Sequence, residues 1–171
     1  SGNYTVTVAD EWGCSGTTSQ KTIVNAQHIT SGSASNASYF MCSTPGAPRA
    51  SGANQDGQIG GADTARTSPA TVSSINNIIS MAGGAKHSLF LKSDNTVWGT
   101  GNNQYGQLGD STNANTNTPV QVWGLTGATA IATGSDHSLF LKSNGTVRSV
   151  GRNHKGQLGN GTTISSTAPV A

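Results

Sequence analysis

The sequence predicts an all-β protein that contains part of a β-propeller, and three observations carry this prediction. The tetrapeptide Gly-Gln-(Leu/Ile)-Gly begins at Gly57, Gly106 and Gly156, at intervals close to 50 residues. Such a period is typical of propeller blades, each made of four strands. Each interval contains a short apolar run and a turn signal, and Ser, Thr, Asn, Gln and Gly supply most polar positions. Those residue types favour turns and exposed strands over long charged helices. Because the tetrapeptide occurs three times, we expect about three blades.

The second and third units align without a gap. They read HSLFLKSDNTVWGTGNNQYGQLG at 87–109 and HSLFLKSNGTVRSVGRNHKGQLG at 137–159. The first unit, at 38–60, keeps the glycine frame but little else. An unbroken apolar run such as SLFL predicts a strand buried on both faces between neighbouring sheets. The repeated tetrapeptide is interpreted as a turn whose glycines permit unusual backbone angles and whose Leu or Ile fills the seam between blades.

A hairpin turn is predicted at one place in each unit. Asn144-Gly145 lies between two strand-like runs, and this dipeptide favours a two-residue turn with positive φ at both positions. Asp94-Asn95 occupies the same place in the second unit and Pro45-Gly46 in the first.

The pattern HSLFLKS-G-TV…G-N…GQLG resembles the regulator-of-chromosome-condensation repeat over about residues 29–171. The resemblance implies a seven-bladed ring, so three units would form part of a larger protein. The Trp that usually follows "TV" in that family is present as Trp98, whereas Arg148 and Arg49 replace it in the other units.

The N-terminal segment has a different pattern. The stretch SGNYTVTVADEWGCSGTTSQKTIV alternates apolar and polar residues, with Tyr4, Val6 and Val8 on one face. It resembles the closing hairpin of immunoglobulin-like repeats in surface adhesins of Bacteroidetes type. We therefore expect the closing strands of an immunoglobulin-like module at 1–25, a linker at 26–37 and propeller repeats at 38–171, incomplete at the C-terminus.

Composition and motifs exclude several functional classes. Charged residues make up 9% of the chain and the net charge is +2, which leaves no clustered basic surface for nucleic acid. No apolar run reaches the roughly 18 residues that membrane insertion needs. The chain has no glycine-framed serine motif, no paired carboxylates and no CxxC motif. We therefore expect no enzyme activity, cofactor or metal.

The cysteines and histidines have structural interpretations. Cys42 aligns with strand positions of the other units and is expected to be a buried free thiol, while Cys14 is expected to pair with a residue outside this chain. A Cys14–Cys42 disulfide is the alternative in an extracellular setting. His87 and His137 occupy one repeated position, which indicates a structural hydrogen bond in each blade. His28 and His154 are expected to be solvated.

The remaining functional prediction is binding through surfaces. The first hypothesis is a secreted or cell-surface region for adhesion or scaffolding, exported by the type IX route, with a protein or surface glycan as partner. The alternatives are an inhibitor or regulator of another protein, and a non-catalytic appendage of a secreted hydrolase. Candidate binding residues precede each repeated turn, and the alternative interpretation, that they are ordinary exposed turn residues, comes before a binding role: Gln55, Asp56, Gln104, Tyr105, His154 and Lys155. The triplets DTA and DST suggest O-glycosylation at Thr64 and Ser111.

Overall fold

The fold consists of antiparallel β-sheets. The computed structural model describes residues 48–171 and, before them, the strands at 6–9, 15–18, 29–32 and 37–40. Near the N-terminus, β1 (Val6–Ala9) pairs with β2 (Ser15–Thr18). The alternating sequence predicted such a hairpin, and its resemblance to an immunoglobulin-like module stays a prediction.

Three four-stranded sheets follow, one for each predicted blade, and each is a meander in which consecutive strands are neighbours. The first contains β3 (Ile29–Gly32), β4 (Ala37–Phe40), β5 (Arg49–Ala53) and β6 (Ala65–Thr71). The second contains β7 (Ile78–Gly83), β8 (His87–Lys92), β9 (Val97–Gly101) and β10 (Thr116–Gln121). The third contains β11 (Ala128–Thr133), β12 (His137–Lys142), β13 (Val147–Gly151) and β14 (Ser166–Val170). The first strands of adjacent sheets contact each other, which confirms the partial propeller.

The first sheet begins inside the segment predicted as a linker. Its first strand, the edge strand β3, pairs with β4, and Ile29 lies opposite Phe40. The predicted linker at 26–37 therefore contains a strand, because the four-strand pattern needs one before the apolar run of each unit.

The predicted hairpin turns are present in the second and third sheets, but their type differs from the prediction. Asn95 and Gly145 have positive φ, of 63° and 80°, whereas Asp94 and Asn144 do not. The Asn95 amide donates to the Lys92 carbonyl at 2.9 Å, so the loop is a type I turn followed by one left-handed residue. The side chains of Asp94 and Asn144 accept hydrogen bonds from the residue two positions on, which favours this form. Pro45-Gly46 lies outside the described residues.

Strand β8 is buried on both faces because its side chains enter two different cores. Phe90 packs between the first and second sheets with Ile59 and Met81. Leu89 and Leu91 point the other way, into the core between the second and third sheets. Half-buried Trp98 packs against the first of these cores. The two cores account for the apolar run without alternation.

Strand β12 repeats the sequence of β8 but has one uncovered face. Leu141 is 40% exposed and Val147 is 54% exposed, whereas the equivalent Leu91 and Val97 are each 1% exposed. Within the described residues no sheet packs against this side of the third sheet. Burial of the repeated run therefore depends on the next sheet rather than on the sequence alone.

Within the same residues, no helix has the length and hydrophobicity to cross a bilayer. No three His, Cys, Asp or Glu side chains of this part of the chain converge on a possible metal position. Cys14, Cys42 and His28 lie outside the described residues.

Candidate interaction surface

The repeated tetrapeptide joins each sheet to the next one. Gly106 has a φ of 81°, and a Cβ atom placed on it would lie 2.6 Å from the Thr167 Cα in β14. A Cβ on Gly57 would likewise lie 2.8 Å from the Asn117 Cα in β10. Gly156 has nothing within 4 Å of the same position. The predicted seam role of this turn is therefore visible at both junctions between sheets.

A buried asparagine holds each of these turns, and sequence reasoning missed its role. Asn103 Oδ1 accepts the Leu108 amide at 2.9 Å, and its Nδ2 donates to the Thr112 carbonyl at 3.1 Å. Asn54 and Asn153 accept the equivalent amides at the same distance. The available signal was periodicity, since all three lie three residues before the first glycine of the tetrapeptide.

A second set of polar contacts crosses the seams. Ser88 Oγ donates to the Gln58 carbonyl at 2.6 Å, and Ser138 Oγ donates to the Gln107 carbonyl at 2.7 Å. His87 Nε2 lies 3.0 Å from Ser138 Oγ. Since that hydroxyl hydrogen is already donated, His87 carries its proton on Nε2 and donates it to Ser138.

His87 and His137 differ in burial. His87 is fully buried, its Nδ1 has no hydrogen-bond partner among the described residues, and burial lowers its pKa to about 4. His137, at the equivalent position of the last sheet, is only half-buried. His87 forms a hydrogen bond between sheets, whereas the side chain of His137 forms none within the described residues, where no sheet covers that side. The structural role expected of both histidines stays a prediction.

The candidate binding residues lie at one edge of the sheets. In an antiparallel meander, the loop after the first strand and the loop after the third strand share an edge. This edge carries 84–86, 102–115, 134–136 and 152–165, together with the loop at 54–64. The hairpin turns at Asp94-Asn95 and Asn144-Gly145 lie at the opposite edge. We call the first edge the rim.

At the junction of the second and third sheets, the rim brings together an aromatic ring, an arginine and a histidine. The rings of Tyr105 and His154 meet edge to face, with centroids 5.7 Å apart. The guanidinium of Arg152 lies 4.9 Å from the centre of the Tyr105 ring, a cation–π contact. Arg152 Nη1 also donates to Asp136 Oδ2 at 3.1 Å. We call Tyr105, Asp136, Arg152 and His154 the junction cluster.

The other candidates are distributed along the rim. Asp56 pairs with Lys86 at 3.5 Å and accepts from Asn102 at 3.3 Å, across the junction of the first and second sheets. Gln55, Gln104 and Lys155 are exposed. The structure thus groups Tyr105 with His154 and adds Arg152, which was not among the predicted binding residues. A binding role for these residues stays a prediction.

Thr64 and Ser111 are both exposed in rim loops. They occupy different points of those loops, because Asp110 directly follows Gly109 whereas Asp63 lies three residues after Gly60. Their O-glycosylation stays a prediction, which peptide mass spectrometry of protein from the native host would test.

Comparison with known families identifies the repeats. Residues 94–141 match a model described as Regulator of chromosome condensation (RCC1) repeat, and residues 78–107 and 128–157 match a second model with that description. Residues 78–157 therefore carry RCC1 repeats. A comparison with curated proteins found no significant match.

Solved structures give the same fold. The chain is 25% identical to human WBSCR16, with a TM-score of 0.74, and the match covers 91% of this chain and 42% of that one. The crystal structure of Kap60 bound to yeast RCC1 (Prp20) matches with a TM-score of 0.73 and 22% identity, over 84% of this chain and 36% of that one. A crystal structure of Prp20p from Saccharomyces cerevisiae, described with its binding to Gsp1p and histones, matches with a TM-score of 0.72 and 22% identity. That match covers 84% of this chain and 37% of the other. The chain thus spans less than half the length of these relatives.

Proposed function

We propose that this chain is a non-enzymatic protein-interaction scaffold that binds its partner at the rim, through the junction cluster. The observation that carries the proposal is the contact of Tyr105 with both Arg152 and His154 across two sheets. Tyrosine and arginine dominate the energetics of protein interfaces, where they form the few contacts that carry most of the binding free energy.

The loop that carries Tyr105 is held in place before any partner binds. The Tyr105 amide donates to Gln107 Oε1 at 3.0 Å, and Gln107 Nε2 donates to Asn102 Oδ1 at 2.8 Å. Gln107 is fully buried. A fixed loop loses little conformational entropy on association, so such a surface is favourable for recognition.

The setting that we propose for this scaffold is the cell surface or the extracellular space, in adhesion or in structural support. The low charge and the resemblance of the N-terminal hairpin to adhesin repeats support it. Fractionation of the native host, followed by detection of the full-length protein, would test the location.

Regulation of another protein is the second candidate function. Its support is that solved relatives with this fold are described with protein partners, namely Kap60, Gsp1p and histones. A non-catalytic appendage of a secreted hydrolase is the third possibility, and the sequence flanking this chain would decide it.

The rim proposal is tested by partner capture with matched variants. Purified wild-type chain is cross-linked to surface and secreted proteins of the native host, and any stoichiometric partner is then titrated against the variants. Tyr105→Ala is the test, and Trp123→Ala is the control because Trp123 is a 65% exposed aromatic residue at the opposite edge. We expect Tyr105→Ala to weaken binding at least tenfold, the effect of losing about 1.4 kcal/mol, and Trp123→Ala to leave it unchanged. The reverse pattern would place binding at the other edge and contradict the proposal.

A further inference from the structure

The third sheet carries asparagine followed by glycine at two places where the second sheet carries aspartate. Asn144-Gly145 corresponds to Asp94-Asn95, and Asn160-Gly161 corresponds to Asp110-Ser111. Asparagine followed by glycine is the dipeptide most prone to deamidation, because no side chain hinders attack by the glycine amide. The structure distinguishes the two asparagines.

We infer that Asn160 is a site of spontaneous deamidation in the folded protein. In this reaction the Gly161 nitrogen loses its proton to solvent base and attacks Asn160 Cγ. A new N–Cγ bond forms, the Cγ–Nδ2 bond breaks, and ammonia leaves with a proton from water. Water then opens the succinimide to aspartate or isoaspartate, so that the net change is amide plus water to carboxylic acid plus ammonia.

The surroundings of the Asn160 carbonyl favour the first step. Its Oδ1 accepts hydrogen bonds from Asn153 Nδ2 at 3.2 Å, from the Thr162 amide at 3.2 Å and from Thr162 Oγ1 at 2.9 Å. Donors already directed at an oxygen stabilise the negative charge that develops there when a nucleophile attacks its carbon.

The attacking amide is also free. Within the described residues, the Gly161 amide has no hydrogen-bond partner, and nothing lies within 4 Å of a Cβ placed on this residue. In the second sheet the corresponding amide is bound by the following sheet. Ser111 donates to the Thr167 carbonyl at 3.0 Å.

Asn144 provides an internal comparison with the same dipeptide. Its Oδ1 accepts from the Thr146 amide at 3.1 Å and from Thr146 Oγ1 at 2.7 Å. However, the Gly145 amide donates to the Lys142 carbonyl at 2.9 Å, which closes the hairpin turn. Attack by Gly145 requires this hydrogen bond to break, so Asn144 is the slower site.

The second sheet shows that the aspartate product fits. Asp110 Oδ1 accepts from Asn103 Nδ2 and from the Thr112 amide, both at 3.0 Å, as Asn160 does from Asn153 and Thr162. Conversion of Asn160 to aspartate therefore adds a negative charge to the rim loop that carries His154 and Lys155 and keeps the hydrogen bonds of the turn. This inference stands independently of the binding role proposed for the rim.

The test follows both sites in one sample. The full chain is incubated at mildly alkaline pH, and tryptic peptides 143–148 and 156–171 report Asn144 and Asn160 separately by mass spectrometry. We expect Asn160 to convert several-fold faster than Asn144 in the folded protein, and the two rates to converge in denaturant, where only the shared dipeptide remains. A folded protein in which Asn144 converts as fast as Asn160, or in which Asn160 does not convert, would overturn the inference.

Two variants separate the chemistry from folding. Gly161→Ser introduces the residue of the second sheet, where Ser111 adopts the same positive φ, of 67° against 76°. It should slow conversion several-fold and lower the unfolding temperature modestly, because a side chain at this φ strains the backbone. Conversion is therefore compared well below the unfolding temperature of the variant, where it stays folded. Asn160→Asp should match the unfolding temperature of the wild type and show no further mass change in peptide 156–171. Unslowed conversion in Gly161→Ser would contradict the inference that the unhindered glycine amide makes Asn160 the fast site.

Discussion

His87 Nε2 lies 3.0 Å from Ser138 Oγ, and this hydrogen bond joins the second sheet to the third. The serine passes its own hydrogen to the Gln107 carbonyl in the repeated turn, at 2.7 Å. His87 of the second sheet thus binds Ser138 of the third sheet, and Ser138 in turn binds the Gln107 loop of the second sheet. All three residues are fully buried, so few alternative partners compete for these groups.

Replacing His87 by alanine should destabilise the protein more than the same change at His137. His87→Ala leaves Ser138 without its donor in a buried site, and we expect a loss of about 1–3 kcal/mol in the free energy of unfolding. His137 is half-buried and its side chain makes no hydrogen bond within the described residues, so its loss should cost less. Urea titration of both variants checks the order. Equal losses would mean that burial in the seam does not decide the contribution of the histidine.

Stability should fall as the pH is lowered from about 6.5 to about 4. Burial lowers the pKa of His87 from 6.5 to about 4, opposed by attraction to Asp136 and assisted by repulsion from His137. In this interval the unfolded chain binds a proton that the folded protein excludes, so the free energy of unfolding rises with pH. The loss should reach a few kcal/mol, and below about pH 4 this contribution should level off.

The control for this dependence is His87→Gln, which cannot titrate. Urea titrations of both proteins are carried out at several pH values between about 4 and 6.5. The free energy of unfolding should rise more steeply with pH in the wild type than in His87→Gln. Parallel slopes would assign the acid sensitivity to other groups.

Asn103 should be the most sensitive polar residue of the repeated loop. Asn103→Ala leaves the buried Leu108 amide unsatisfied, and we expect a loss of about 1–3 kcal/mol. Asn103→Asp keeps this acceptor but sets a carboxylate against the Asp110 carboxylate, so it should also destabilise. Asn113→Ala, an exposed change in the same loop, should stay within about 0.5 kcal/mol of the wild type. Thermal unfolding of the three variants measures these differences. If Asn103→Ala unfolded at the same temperature as Asn113→Ala, the Asn103 side chain would not hold the loop in place.

Local sequence was sufficient to predict the features that are fixed within one unit. The repeated turns, the two described hairpins and the strand character of SLFL follow from short patterns of glycine, asparagine and apolar residues. The turn type was wrong because the side-chain acceptors of Asp94 and Asn144 favour a type I turn with only one left-handed residue.

Features that depend on contact between units could not be predicted from local sequence in the same way. The junction cluster depends on how Tyr105 of one sheet meets Arg152 of the next, which no local pattern specifies. The exposed Leu141 and Val147 have nearly the same sequence context as buried Leu91 and Val97, and they differ because no sheet of the described residues packs against them. The anchoring role of Asn103 could have been suspected from its period, since Asn54 and Asn153 occupy the same place in their units.

The repeated turn packs against the next sheet at both junctions, and a pair of glycine variants tests this packing most directly. Gly106 and Gly156 have nearly the same φ, 81° and 78°, so alanine meets the same backbone strain, roughly 1–2 kcal/mol, at both positions. At Gly106 the added Cβ would also lie 2.6 Å from the Thr167 Cα of the next sheet, whereas at Gly156 it meets nothing within 4 Å.

The measurement is the free energy of unfolding of Gly106→Ala and Gly156→Ala, determined by urea titration under identical conditions. We predict that the free energy of unfolding of Gly106→Ala is lower than that of Gly156→Ala by about 1–3 kcal/mol, the usual cost of forcing atoms into a packed site. Equal destabilisation of the two variants would show that the turn requires glycine only for its own backbone, and would contradict the account of the seam.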